Sequence, residues 1–412
     1  MSQPNPNQLH EVYCKLKEFR PSVVEALKEI EDSDAASRSL LQRYVKSTEI
    51  PDSSSVIRIQ AIIDYMYEKI NIGKWEDVKP HITKTITIAS YLKLLAHIKY
   101  SDEDKETLIM QAFKIIDFGI LFGSPLDKLP KFLHNCATIL SSVKIPKRND
   151  NNYGRLSNVT HTKTSKLTPD IDKFINSTPI EVIDCPSMES FYTNYILAEK
   201  PVILENCINS WPALHKWKDH NYFTKLYGPR TVSIELGTKY TDSEWTQKLM
   251  TIDEFIDQYI FQRNGPTGYL AQYRLFDHIP ELKDDIAIPE YCCFSDSDEP
   301  VDIMSWYGPK GTVSPTHHDP KRNLLTQVVG EKRLLLFSPE ESENVYPNEH
   351  NIFQNTAQVD PLHPDLERFP KFKDAKAYSC VLKPGQMLYI PPKWWHFVES
   401  LSISFSVSFW WQ

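Results

Sequence analysis

The apolar residues of this chain change their spacing once, near residue 146, and that change divides what the chain can fold into. Upstream they recur at helical intervals. The stretch "SDEDKETLIMQAFKIIDFGILFG" offers Ser101 as an N-cap, acids in the first turn, then Leu108, Ala112, Ile115 and Ile116 on one face, with Gly123 as a stop. "VIRIQAIIDYMYEKINIG" repeats the logic with Ile59, Ile62, Ile63, Met66 and Ile70 and ends at Gly73. Two or three further helices are expected between residues 8 and 46 and between 86 and 144. With no fixed-period repeat, residues 1–145 read as a generic helical bundle, a docking or scaffolding domain without chemistry of its own. Residues 146–169, "PKRNDNNYGRLSNVTHTKTSKLTP", are polar and aperiodic and read as a flexible linker. The "KIPKR" at its start can be read as a nuclear signal, although a solvated linker carries such charges anyway.

From residue 170 to 412 short apolar runs broken by Pro, Gly and Asp take over: "KPVILEN", "RTVSIELG", "TGYLAQY", "LLTQVVGEKRLLLFSP", "KPGQMLYIPP" and "SISFSVSFWW". They are strand-length and rich in β-branched and aromatic residues. Val328 to Glu331 fits a tight hairpin turn between two of them. In the last run Ile403, Phe405, Val407 and Phe409 alternate with Ser402, Ser404, Ser406 and Ser408, which predicts a strand with one packed face. So many short strands predict a barrel or jelly roll, and the fold class is α+β, an all-helical domain followed by a jelly-roll domain.

The formal charge of −8, from 54 acidic and 46 basic residues, argues against indiscriminate nucleic-acid binding through a basic surface and suits a basic peptide as partner; no direct sequence-specific nucleic-acid binding is expected either. Seven scattered cysteines, none in a C-x-x-C pair, predict reduced thiols in a nuclear or cytoplasmic protein. The opening residues lack a secretory pattern, and no run approaches the roughly 18 apolar residues of a membrane span.

Chemistry gathers at "SPTHHDPKRNLL", residues 314–325. On a strand, residues two apart share a side, so His317 and Asp319 can hold one metal while His318 points away. Such a pair arises by chance, and a histidine among aromatics, as His396 is beside Trp394, Trp395 and Phe397, is ordinarily a core residue. Together they make a two-histidine, one-carboxylate face that suits a ferrous ion and leaves positions open for a co-substrate and O2. Zinc, which usually recruits a fourth ligand, is the second choice.

Three stretches carry a family resemblance: "KPVILENCINSWPALHKW", "SWYGPKGTVSPTHHDPKRNLLTQVVGEKRLLLFSP" and "KPGQMLYIPPKWWHFVES". In order and spacing they resemble the JmjC domain, the jumonji-type double-stranded β-helix of Fe(II)- and 2-oxoglutarate-dependent oxygenases. Within it, "IELGTKYTDSEW", "GYLAQYRLFDHIPEL" and "SFSVSFWW" resemble the protein-arginine hydroxylases. The resemblance implies Fe(II) on His317, Asp319 and His396, with 2-oxoglutarate and O2 as co-substrates. It puts Lys332 on the distal carboxylate of 2-oxoglutarate, where a dianion entering an apolar barrel needs a fixed cation. Asn323, Tyr269 and Ser314 match polar positions around that co-substrate, and Gln272 and Trp410 are further candidates.

For the substrate, the resemblance implies that Glu235 and Trp245 hold a target guanidinium, with Trp306 as a second aromatic wall. The acidic loop "SDSDEPVD", residues 295–302, could attract a basic peptide, although acidic loops are usually just solvated. The activity implied is hydroxylation of an arginine side-chain carbon in a protein, releasing succinate and CO2. The rivals are demethylation of histone methyl-lysine on the same fold and a non-catalytic adaptor acting through the helical domain. No Ser/His/Asp or H-E-x-x-H constellation supports peptide hydrolysis.

Overall fold

The computed structural model describes residues 7–47, 52–143, 175–237, 244–262, 265–349 and 354–412. The predicted linker at 146–169, with "KIPKR", lies outside them. The chain divides into two compact units, residues 1–158 with 229–231, and residues 159–228 with 232–412.

The first unit is helical: α1 Asn7–Lys17, α2 Arg20–Ala26, α3 Ala35–Lys46, α4 Ser54–Ile70, α5 Pro80–Tyr100, α6 Lys105–Phe122 and α7 Phe132–Ser141. Beyond α4 and α6, five helices occur among the described residues where two or three were expected. Helix α5 is the centre, with Ile86, Ile88, Ala89, Tyr91, Leu92, Leu94 and Leu95 all at 0 % exposure. The apolar sets read on α4 and α6 pack against it, and the Tyr91 hydroxyl donates to the Leu16 carbonyl at 2.8 Å. Ser101 does not cap α6. The cap is Asp104, whose carboxylate accepts from the Glu106 and Thr107 amides, while Ser101 ends α5. An ionised side chain that takes two orphan amides at the positive end of the helix outcompetes a hydroxyl three residues earlier.

The second unit holds β1 Asn176–Pro179, β2 Val182–Asp184, β3 Val202–Glu205, β4 Thr231–Leu236, β5 Thr246–Thr251, β6 Gly268–Tyr273 and β7 Asp302–Gly308. It continues with β8 Val313–His317, β9 Arg322–Val329, β10 Lys332–Phe337, β11 Lys376–Leu382, β12 Met387–Ile390, β13 Trp395–Ser400 and β14 Ser404–Trp411. One sheet runs β1-β11-β10-β13-β8; the other runs β2-β3-β12-β9-β14-β7-β6-β4-β5. Leu325, Leu388 and Ile390 of the larger sheet meet Leu334, Leu336, Leu382 and Val398 of the smaller in one apolar cluster, so the two sheets face each other as a jelly roll.

Two sequence expectations change here. Residues 328–331 are not a hairpin, because β9 and β10 belong to different sheets; they form the corner where the chain crosses over. Gly330 permits it with φ of +71°, and a Cβ there would run into the Ile403 carbonyl oxygen. Strand β14 is packed on both faces. Phe405, Val407 and Phe409 join the outer core, while Ser404, Ser406 and Ser408 are 1 %, 0 % and 1 % exposed. The serines share a face with Leu325, opposite Ser408 in register, so they look into the barrel. Their hydroxyls are satisfied there: Ser406 donates to Gln327 Oε1 at 2.7 Å, and Gln327 Nε2 donates to Ser404 at 2.9 Å.

Candidate metal centre

Antiparallel pairing of β8 with β13 sets His317 opposite His396, with ring centroids 4.2 Å apart. Asp319 lies two residues past the end of β8, and its carbonyl accepts the Lys393 amide at 2.7 Å. Potential ligand atoms of His317, Asp319 and His396 all lie within 4.8 Å of one another. Asp319 Oδ2 is 3.7 Å from His396 Nε2.

Backbone carbonyls orient both imidazoles. His317 Nδ1 donates to Pro315 O at 2.7 Å and His396 Nδ1 donates to Trp394 O at 2.9 Å, which leaves the Nε2 lone pairs free to coordinate. Burial, then the adjacent His317, pushes His396 down to about 4, so it stays neutral. His318 turns the other way: its ring stands edge-on to Trp395 at 4.5 Å, and its amide donates to Asn355 O at 2.9 Å.

These residues fit the ferrous ion that the donor set suggests. Two neutral nitrogens and one carboxylate converge, Asp319 Oδ2 is buried without a hydrogen bond, and no fourth His, Cys, Asp or Glu joins them among the described residues. A closed structural zinc site would need that fourth ligand.

Lys332 opens β10, on the face that carries Leu334 and Leu336 into the barrel, and is 1 % exposed. Its ammonium donates to the Tyr269 hydroxyl at 3.1 Å and meets no carboxylate among the described residues. Burial pushes it down to about 7. A buried amine with donors to spare is what an incoming carboxylate would satisfy. Burial raises the Tyr269 hydroxyl above its usual range, and the Ser314 and Thr312 side chains act against that rise. Thr312 was not singled out from the sequence; its place two residues before Ser314 carries no motif. Asn323 and Trp410 face each other across β9 and β14, and the Asn323 Oδ1 and Trp410 Nε1 atoms are buried without partners. Gln272 is exposed, at a bulge in β6 with φ of +46°.

Glu235 on β4 lies opposite Tyr269 on β6 and accepts the Trp245 indole N–H at 3.2 Å. Burial raises its carboxyl above the usual range. No cation among the described residues pairs with it. The Trp306 ring sits beside Tyr269, centroids 6.1 Å apart. The acidic loop is largely neutralised: Asp296 pairs with Arg322 at 2.9 Å, Glu299 with Lys321 at 3.6 Å, and Asp302 with Arg274 at 2.7 Å and Lys321 at 2.9 Å. It braces the segment after Asp319 more than it presents free charge.

Residues 188–412 match the family described as a cupin-like domain. The chain is 42 % identical over 363 residues to lysine-specific demethylase 8 of Danio rerio, covering 87 % of each. The chain belongs to the JmjC oxygenase family. This JmjC oxygenase is also 38 % identical over 368 residues to Jumonji C domain-containing protein 5 of Drosophila melanogaster, 86 % of each chain. It is 33 % identical over 413 residues to lysine-specific demethylase JMJ30 of Arabidopsis thaliana, 92 % of this chain and 93 % of that one. The family implies Fe(II) and 2-oxoglutarate and a dioxygenase reaction. Among the described residues no helix is long and apolar enough to cross a membrane.

Proposed function

We propose that this JmjC oxygenase acts on a basic side chain of a protein substrate, and that hydroxylation of an arginine side-chain carbon is the reaction its pocket suits best. The observation that carries this reading is Glu235: a carboxylate raised by burial, held by an indole N–H and without a cation among the described residues. A guanidinium answers both features, because its fork can meet the carboxylate while its plane stacks on Trp245. The relatives' names support a second reading more directly than they support the first. Two of those compared are called lysine-specific demethylases, so methyl-lysine is the alternative substrate.

His317, Asp319 and His396 would hold Fe(II), and Lys332, with Tyr269, Ser314 and Asn323, would hold 2-oxoglutarate. Bound together, these supply the oxidising power to insert one oxygen atom of O2 into a C–H bond, with succinate and CO2 released. The chain's own residues do the rest. The carbonyls of Pro315 and Trp394 keep the imidazoles in the coordinating tautomer. Lys332 would neutralise the co-substrate's far carboxylate, Glu235 and Trp245 would orient the target side chain, and the apolar barrel wall limits water. An adaptor would have no use for a converged triad in the same barrel as a buried lysine that meets no carboxylate among the described residues. A nuclear setting belongs to the same proposal, and imaging of the tagged chain checks it.

The test offers arginine and N-methyl-lysine peptides to the iron-loaded protein with 2-oxoglutarate and reads peptide masses. One added oxygen on the arginine peptide is expected. Loss of a methyl with formaldehyde release, and no added oxygen, would establish the alternative.

A further inference from the structure

We propose that Ser408 is a positioning residue for the co-substrate: it fixes the Trp306 ring that flanks the Lys332 ammonium. The inference rests on the reading that Lys332 receives the 2-oxoglutarate carboxylate. Lys332 Nζ lies 5.7 Å from the Tyr269 ring centroid and 5.9 Å from that of Trp306, so two aromatic faces confine one buried cation. The two rings are anchored differently. Tyr269 is buried; even a Cβ on Gly308 would come within 2.7 Å of its ring, and its hydroxyl accepts from the Lys332 ammonium at 3.1 Å.

Trp306 is only half-buried, and its indole N–H finds one acceptor among the described residues, Ser408 Oγ at 3.0 Å. Ser408 is 1 % exposed and sits on β14 two residues beyond Ser406, the register partner of Trp306. That diagonal holds the ring at a fixed tilt, 43° from the Tyr269 plane. The hydroxyl is what the place requires, because alanine would leave the indole N–H without its acceptor. The indole would then turn to find another acceptor, and the cation would lose one of its two walls.

The experiment titrates 2-oxoglutarate into the Mn(II)-loaded full chain by calorimetry, Mn(II) being used because binding is read without turnover. Ser408→Ala should weaken 2-oxoglutarate about three- to tenfold, with Mn(II) affinity unchanged. Ser408→Thr, which keeps the hydroxyl, should stay within about twofold of wild type. In a Trp306→Phe background, which has no indole N–H, Ser408→Ala should add nothing. Unchanged affinity in Ser408→Ala, an equal loss in the Trp306→Phe background, or a parallel loss of Mn(II) binding would overturn the inference. Lys332→Met separates the two levels. If it weakens 2-oxoglutarate and Ser408→Ala does not, the Ser408 inference alone falls; if it has no effect, the Lys332 reading falls and takes the inference with it.

Discussion

Lys332 makes the sharpest prediction because its free state is electrostatically unfavourable. At 1 % exposure and with no carboxylate among the described residues, its ammonium sits near 7 instead of its ordinary 10.5. At pH 8 about nine in ten free molecules then carry the neutral amine. A bound carboxylate favours the charged form, so binding must draw a proton from solvent. The sign follows: because the free value is depressed and the bound value raised, uptake occurs between the two, and apparent affinity falls as pH rises above about 7. Calorimetric titrations of the Mn(II)-loaded protein with 2-oxoglutarate, in buffers of different ionisation heat, measure that uptake. Nearly one proton per molecule is expected at pH 8, and much less at pH 6. Lys332→Met should abolish the uptake. Removing one partner of a buried pair costs about 3–5 kcal/mol, so affinity should fall by about two to three and a half orders of magnitude. No proton uptake at pH 8, together with a Met variant that binds as tightly as wild type, would refute the reasoning.

Four further outcomes are expected. Asp319→Ala should lose most Mn(II) affinity in a direct titration, whereas His318→Ala, whose ring lies against Trp395, should keep it. Glu235→Gln should leave Mn(II) and 2-oxoglutarate binding intact but raise KM for an arginine peptide, since a charge-assisted bond is roughly twice as strong as a neutral one. In the wild type, arginine-peptide binding should weaken as pH falls through the raised Glu235 value, because the carboxyl then protonates. Gly330→Ala should lower stability to chemical denaturation by more than about 1 kcal/mol, because the corner needs φ of +71° and has no room beside Ile403.

What could be read from residues alone was what depends on short range. His317 and Asp319 are two apart, so their side chains converge even though β8 ends at His317, while His318 turns to Trp395, and the helices around Ile62 and Ile116 follow from spacing. What escaped depends on partners far along the chain. "VVGE" looks the same in a hairpin and in a corner between sheets; only the pairing of β9 with β14 and β12, and of β10 with β13 and β11, decides between them. The serines of β14 look like a solvent face until a second sheet closes over them. The acidic loop looks like free charge until Arg274, Lys321 and Arg322 are placed beside it. The carbonyls of Pro315 and Trp394 that orient the histidines belong to the backbone and leave no residue-type signal.

The most direct test of the account is a crystal structure of the Mn(II)-loaded protein with N-oxalylglycine, an inert 2-oxoglutarate analogue, and an arginine peptide. The account predicts the analogue's far carboxylate on Lys332 Nζ, and the guanidinium forked onto Glu235 with its plane against Trp245. A peptide whose arginine lies elsewhere, with Glu235 facing solvent, would contradict it.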